Sequence, residues 1–339
     1  MTQPGSNSHC AITGWGVALP TTIVTNDDLS RRLETTDAWI YERTGIRQRF
    51  FANDDETTAT LAAQAARAAI ARAGLFPNDI GLMIVATCTP EQLMPHTGAF
   101  VGHELGLSCG SFDINATCSG FVYALEVAVG MARNGIPNVL VVGSETMSRI
   151  VDPDDRATAI LFGDGAGAAV VSAHASEFES FLSNDLGCDG SATAILGVLA
   201  GGSKLPSSQK TLDSGDHFIS MNGQEVFKRA VLAVVESCQR ALNRASLTCD
   251  DVDWFIPHQA NIRIITAAAS RLNIAMSRTV VNLDRYGNTS SASIPLALFE
   301  AVDDGRIRPG DTVLACGFGA GLTTATSVLR WPATTKESR

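Results

Sequence analysis

Residues 69–84, AIARAGLFPNDIGLMI, align without a gap on residues 241–256, ALNRASLTCDDVDWFI. Identities fall at Ala69/Ala241, Arg72/Arg244, Ala73/Ala245, Leu75/Leu247, Asp79/Asp251 and Ile84/Ile256, and most other positions keep their apolar or polar character. Such a repeat constrains the fold more than any local propensity, because two copies of one unit must bury equivalent apolar faces. The order of elements repeats too. In the first half, a strand ending near Asn115 leads to Cys118, then an apolar helix (FVYALEVAVGMARNG, 121–135) closed by Gly135, then the buried strand NVLVVGSE (138–145). In the second half, TVVNL leads to Asn288, then a helix within ASIPLALFEAVDDG, then the strand TVLACG. A glycine just past a helix suits the left-handed backbone of a C-cap. Counting back seventeen residues from Gly135 gives Cys118, and from Gly305 gives Asn288, which pairs the two as pseudo-symmetry mates.

The 339 residues therefore divide into an expected N-terminal half over 10–180 and a C-terminal half over 181–339. CAITGWGVALP (10–20) reads as a strand ending in a turn, residues 57–73 as an Ala-rich helix, and IGLMIVAT (80–87) and GAGAAVVSA (165–173) as further strands. Runs this apolar suit strands covered on both faces, so stacked layers with buried sheets are expected. Residues 1–9 read as a disordered tail and the Gly-, Ser- and Asp-rich stretch 187–216 as irregular. With 45% hydrophobic but only 6% aromatic residues, the core must be built mainly from Ala, Val, Leu and Ile. A net charge of −10 argues against binding nucleic acid over the whole surface. No window has the ~20 apolar residues of a membrane span, and MTQPGSNSHC lacks a signal-peptide core. The eight cysteines form no CxxC pair, which suits thiols in a reducing cytoplasm and no zinc site.

Three residues suggest chemistry. Cys118 stands at a helix start, where unpaired N–H groups and the helix dipole stabilise a thiolate nucleophile. It can equally be a small core hydrophobe. His258, in IPHQAN, ends a buried strand, where an imidazole can donate to an oxyanion or manage a proton near neutral pH. His9, His96, His103, His174 and His217 show no metal spacing. Asn288, in RYGNTSSAS, is either a turn or cap residue or a neutral amide donor facing Cys118. CGFGAGLTTATSVLRW (316–331) is a Gly-rich turn between strands whose N–H groups can form a second oxyanion site. FGDGAGAAVV (162–171) runs into β-branched residues rather than a helix, so it is a poor phosphate loop.

The combination DAWIYERTGIRQR (37–49), ATCSGFVYAL (116–125), DPDDRATAILFGDGAGAAV (152–170), EVFKRAV (225–231), IPHQANIRII (256–265), YGNTSSASIPLAL (286–298) and GFGAGL (317–322) resembles the β-ketoacyl-acyl carrier protein synthase III family over roughly residues 10 to 331. The resemblance implies a thiolase-like α/β fold with duplicated halves in a layered αβαβα arrangement and buried mixed sheets. It implies an acyltransferase that moves an acyl group from acyl-CoA to Cys118 and then condenses it, with loss of carbon dioxide, onto malonyl-acyl carrier protein. These two are substrates; no cofactor and no metal is implied. His258 and Asn288 would hold the enolate, and the backbone N–H groups of Cys118 and Ala320 the other oxyanion. Phe318 would line the malonyl side. Trp39 and Arg156 would take the adenine of coenzyme A, Arg43 a phosphate, and Asn261 the pantetheine arm. Lys228, Arg229, Arg263 and Arg271 would dock the acidic carrier protein, unless they are ordinary solvated charges. A homodimer is implied, with Met94 reaching into the partner's acyl pocket. Two departures stand out: Met94 where an aromatic residue is frequent, and Ala320 where glycine is common.

Three rival functions remain at this level. A related acyltransferase of secondary metabolism would pass the acyl-cysteine group to another nucleophile. A degradative thiolase would need a second catalytic cysteine near the C-terminal glycines, for which Cys316 is the candidate. A binding module would not need Cys118 at all.

Overall fold

The computed structural model describes residues 9–173 and 179–332. Of the expected tail only His9 falls within them, and His174 lies outside.

Two mixed sheets organise the chain. The first contains strands Cys10–Ala18, Leu82–Ala86, Gly110–Ile114, Asn138–Thr146 and Asp164–Ala173, in the spatial order 10–18, 164–173, 138–146, 82–86, 110–114. The last three run parallel and the other pairings are antiparallel. The second contains Phe181–Ala192, Trp254–Pro257, Thr312–Gly319 and Gly321–Arg330, in the order 254–257, 312–319, 321–330, 181–192, with only the first pair parallel. TVVNL, expected to repeat the strand that ends near Asn115, supplies a single bridge from Thr279 to Phe255. Pairing stops there because the Gln259 side chain takes the N–H of Asn282 at 3.0 Å.

Strand 138–146 shows how the layers are made. Val139 and Val141 point to one core, Leu140 and Val142 to another. A period of two with both faces apolar is what a doubly covered strand requires. Helices Thr58–Arg72 and Thr97–Leu105 cover the outer face of the first sheet. Helices Gly223–Arg244 and Ile262–Arg271 cover the outer face of the second. Helices Gly120–Arg133 and Ser293–Asp303 lie between the sheets, with Phe121, Leu125, Leu298 and Phe299 fully buried. The result is five layers, with one inner helix from each half.

The inner helices begin alike. Thr117 and Ser290 both have φ of 48°, each opens a 3-10 turn (Thr117–Ser119 and Ser290–Ala292), and each turn runs into its helix at Gly120 and Ser293. Asn115 and Asn288 each accept the N–H two residues on, from Thr117 at 3.2 Å and Ser290 at 2.9 Å. Cys118 is therefore the mate of Ser291, and Asn288 the mate of Asn115. The seventeen-residue count misplaced the pairing by three positions, because helix 120–133 has 14 residues and helix 293–303 only 11.

The halves interlock at these turns. A Cβ built on Gly143, in the first sheet, would lie 2.7 Å from the Ser291 carbonyl oxygen of the second half. One built on Gly317, in the second sheet, would lie 2.8 Å from Cα of Ser119 in the first. Glycine at both positions lets each turn rest on the other half's central strand.

The stretch 187–216 is more ordered than its composition suggests. Strand 181–192 runs through its first six residues, a short strand Leu196–Val198 pairs with Ile219–Met221, and Gln209–Asp213 is helical. Strand 181–192 lies at a sheet edge with one wet face, so its polar residues mimic a loop. Among the described residues no helix is long and apolar enough to cross a membrane.

Candidate active site

A cavity of about 600 Å³ opens between the two halves. Cys88, Asn115, Thr117 and Cys118 line it from the first half, and His258, Asn288, Ser290, Phe318 and Ala320 from the second. Cys316 does not reach it. That thiol packs with Cys238 and Leu314 on the outer face of its sheet, so the second cysteine of a degradative thiolase is missing there.

Cys118 is the middle residue of the 117–119 turn and is 8% exposed. Burial pushes its thiol up to about 12; a hydrogen bond with Ser290 opposes this, the Glu145 charge adds to it, and the cysteine's own N–H opposes it. A helix start contributes ~0.3–1 kcal/mol, ~2 at most, against ~1.4 kcal/mol per tenfold change in ionisation. Desolvation wins, and burial favours a protonated thiol over the expected thiolate.

His258 follows strand 254–257, its N–H held by the Cys316 carbonyl at 2.8 Å. Burial pushes its pKa down to about 3, so the ring is neutral rather than titrating near neutral pH. Nδ1 lies 2.6 Å from the Ser293 hydroxyl, and that oxygen already accepts the Gln259 N–H at 3.4 Å. A hydroxyl that donates to Nδ1 places the ring proton on Nε2, the tautomer in which His258 is a donor toward the cavity. Phe318 meets the ring edge-on at 5.3 Å.

Asn288 is pinned through its backbone, donating to the Leu161 carbonyl at 2.8 Å and accepting from Gly163 at 3.0 Å. Its Oδ1 is taken by the Ser290 N–H, so the amide presents its N–H side. Ala320 forms the one-residue turn between strands 312–319 and 321–330, beside Thr117, whose hydroxyl reaches its carbonyl at 3.5 Å. The neighbourhood therefore sets the Cys118 sulfur among several neutral donors, which suits acyl transfer with developing negative charge on oxygen.

The remaining expected residues are arranged around this centre. The Arg43 and Arg156 guanidinium carbons lie 4.2 and 4.7 Å from the centre of the Trp39 ring, a cation–π cluster that joins helix Asp37–Thr44 to the start of helix Arg156–Ala159. Arg43, Asn261 and Arg263 line the cavity. The Asn261 amide has two intramolecular partners, the N–H of Arg263 at 2.9 Å, which caps helix 262–271, and the Arg43 carbonyl at 3.1 Å. Lys228 and Arg271 are exposed, whereas Arg229 pairs with Asp189 at 3.3 Å and Glu225 at 3.5 Å. Met94 is 81% exposed beside Leu93 at 87% and lies outside its own chain's cavity.

Ser290, Ser293 and Glu145 escape the sequence reading. The serines were legible only as cap residues, and Glu145 as the polar end of a strand. The usable signal is the second serine-rich turn, once it is set opposite Cys118 in register.

The sequence model of the 3-oxoacyl-[acyl-carrier-protein (ACP)] synthase III family matches residues 112–190, and that of its C-terminal part matches residues 242–331. The beta-ketoacyl-[acyl-carrier-protein] synthase III of Roseiflexus castenholzii is 49% identical over 328 residues, 96% of this chain and 99% of that protein. The crystal structure of 3-oxoacyl-[acyl-carrier-protein] synthase III from Aquifex aeolicus superposes with a TM-score of 0.87 at 41% identity, covering 95% of this chain and all of that one. The priming beta-ketosynthase of the R1128 polyketide biosynthetic pathway superposes at 0.90 with 36% identity, covering 98% and 99%. The five-layered architecture is the thiolase-like fold, and the chain belongs to the 3-oxoacyl-[acyl-carrier-protein] synthase III family of condensing enzymes.

Proposed function

We propose that the chain catalyses the initiating condensation of fatty-acid synthesis by two half-reactions at one cavity. The observation that carries this is the convergence of Cys118, His258 and Asn288, from different halves, on a single space. In the first half-reaction the Cys118 sulfur attacks the carbonyl of acyl-CoA. The carbon–sulfur bond to coenzyme A breaks, and the leaving thiol takes the proton that Cys118 gives up. Exchange is proton-neutral overall, so a thiol held protonated by burial is compatible with it. The N–H groups of Cys118 and Ala320 hold the tetrahedral oxyanion.

In the second half-reaction the malonyl group of the carrier protein loses carbon dioxide. The electron pair moves into the thioester carbonyl as an enolate, with its oxygen between Nε2–H of His258 and the amide N–H of Asn288. Neutral donors suit this step, since a base would have nothing to remove. The enolate carbon attacks the acyl-cysteine, the carbon–sulfur bond breaks, and the departing Cys118 sulfur takes a proton from solvent to regenerate the thiol. Acyl-CoA and malonyl-carrier protein are the substrates, and no step calls for a metal or an organic cofactor. Trp39, Arg43 and Arg156 take the nucleotide end of coenzyme A, and Asn261 and Phe318 flank the arm and the malonyl group. Lys228, Arg263 and Arg271, with Arg229 once released from Asp189, form the carrier-protein face of an otherwise acidic molecule. The working form is a cytoplasmic homodimer, in which Met94 enters the partner's acyl pocket.

Intact-mass spectrometry after incubation with a panel of acyl-CoA thioesters tests the first step, and carbon dioxide release from malonyl-carrier protein the second. Acylation that persists in Cys118→Ala, or no carbon dioxide under saturating donor, overturns the proposal.

A further inference from the structure

We propose that Glu145 is a positioning residue: its carboxylate clamps the turn that follows Asn288 to the first half of the molecule, and so sets where Asn288 presents its amide. The inference rests on the enolate-binding role of Asn288 proposed above.

Glu145 is fully buried in strand 138–146. Its Oε2 accepts from the Thr87 hydroxyl at 3.1 Å, the Thr89 hydroxyl at 2.6 Å, and the N–H groups of Cys88 and Thr89 at 3.0 and 3.1 Å. Its Oε1 accepts from the Ser290 hydroxyl at 3.0 Å and the Ser291 N–H at 3.3 Å. One side chain therefore joins loop 87–89 of the first half to turn 290–291 of the second. Asn288 is one bond further on, its Oδ1 held by the Ser290 N–H at 2.9 Å.

Three features separate this from ordinary packing. Among the described residues no basic side chain forms an ion pair with Glu145, and a buried carboxylate without a cation is costly where an apolar residue would serve. Ser290 is held at φ 48°, a conformation that a side-chain-bearing residue keeps only when its surroundings enforce it. The carboxylate also works against the nucleophile: behind burial itself, its charge pushes the thiols of Cys118 and Cys88 up. Glu145 is not the base for Cys118, because hydrogen-bond donors already occupy both of its oxygens.

The two effects predict different outcomes for the two half-reactions. In Glu145→Gln an amide N–H must face a donor, so the 290–291 turn shifts, while the negative charge near Cys118 is gone. Carbon dioxide release from malonyl-carrier protein should fall about 100-fold, the scale for a misplaced oxyanion donor. Acylation of Cys118 by acetyl-CoA should persist within about threefold, and the pH profile of Cys118 alkylation should move to lower pH. A merely structural role would lower both half-reactions together, in step with a lower melting temperature, and would overturn the inference, as would an unchanged decarboxylation rate. If Glu145→Gln does not fold, Thr89→Val removes the shortest bond to the carboxylate from a side chain that does not line the cavity and must show the same split in half-reactions; decarboxylation at the wild-type rate overturns the inference. Asn288→Ala separates the two levels. If it still decarboxylates, the role of Asn288 fails and this inference falls with it; if it stops while Glu145→Gln continues unimpaired, only the clamp fails.

Discussion

Cys118 should resist alkylation at neutral pH although it is the residue that coenzyme A thioesters modify. With its thiol at about 12, the thiolate fraction at pH 7 is about 10⁻⁵, against about 3% for an ordinary thiol near 8.5, a ratio of roughly 3,000. The cause is desolvation by two inner helices and two sheets, which the helix-start dipole is too weak to offset. The assay is iodoacetamide labelling between about pH 6 and pH 10, with each cysteine followed by peptide mass spectrometry. Exposed Cys188 should label first. The Cys118 rate should climb about tenfold per pH unit without a plateau, because the reactive species keeps growing. Acetyl-CoA should acylate Cys118 in the same preparation at pH 7, since the departing thiol receives the proton. A plateau in the Cys118 profile below about pH 9 would show a thiolate already formed in the resting site. The assignment of desolvation as the dominant effect would then be refuted.

Other outcomes follow from the same geometry. His258 has its pKa lowered by burial from 6.5 to about 3, so as pH falls through that window the unfolded chain takes the proton first and folded stability is lost. The loss reaches about 5 kcal/mol at the acid end, and His258→Gln should flatten that limb of melting temperature against pH; an unchanged limb rejects the assignment. Asn288→Ala should cut decarboxylation by about 10²–10³ while Cys118 acylation by intact mass stays within a few-fold; equal loss in both steps argues against an enolate-specific donor. Gly317→Ala should destabilise by about 1–3 kcal/mol in urea unfolding, because its Cβ would press on Ser119; an unmoved midpoint counts against the close approach. Lys228→Glu with Arg271→Glu should raise KM for malonyl-carrier protein several-fold, less so in high salt, without slowing acylation by acyl-CoA; a KM insensitive to both changes removes these residues from the docking face.

The repeated segment 69–84/241–256 made the double-sheet architecture legible, because six identities over a gapless window have one simple structural reading. Doubly covered strands such as 138–146 were legible from continuous apolar character, and the inner helices from their glycine ends. The equivalence of Asn115 with Asn288 was not, since it depends on one helix being three residues shorter, and a glycine end says nothing about where a helix begins. Cys118 and His258 were legible as reactive types at element ends. Their protonation states were not, because both are set by burial among residues from other elements, Ser290 for Cys118 and Ser293 and Phe318 for His258. Glu145 was invisible for a related reason. A carboxylate at the end of an apolar run reads as a strand reaching solvent, and only the fold brings Thr87, Thr89 and Ser290 around it.

The reciprocal seating of each turn on the other half's glycine limits how such a chain can drift. When two side chains collide, a smaller residue on one side makes room for a larger one on the other. At Gly143 and Gly317 what lies opposite is main chain, the Ser291 carbonyl and the Ser119 Cα. No exchange of partner residue can yield that space. Every descendant of this sequence that keeps the seam between its halves must therefore keep both positions without a side chain, however far the rest of the two copies diverge.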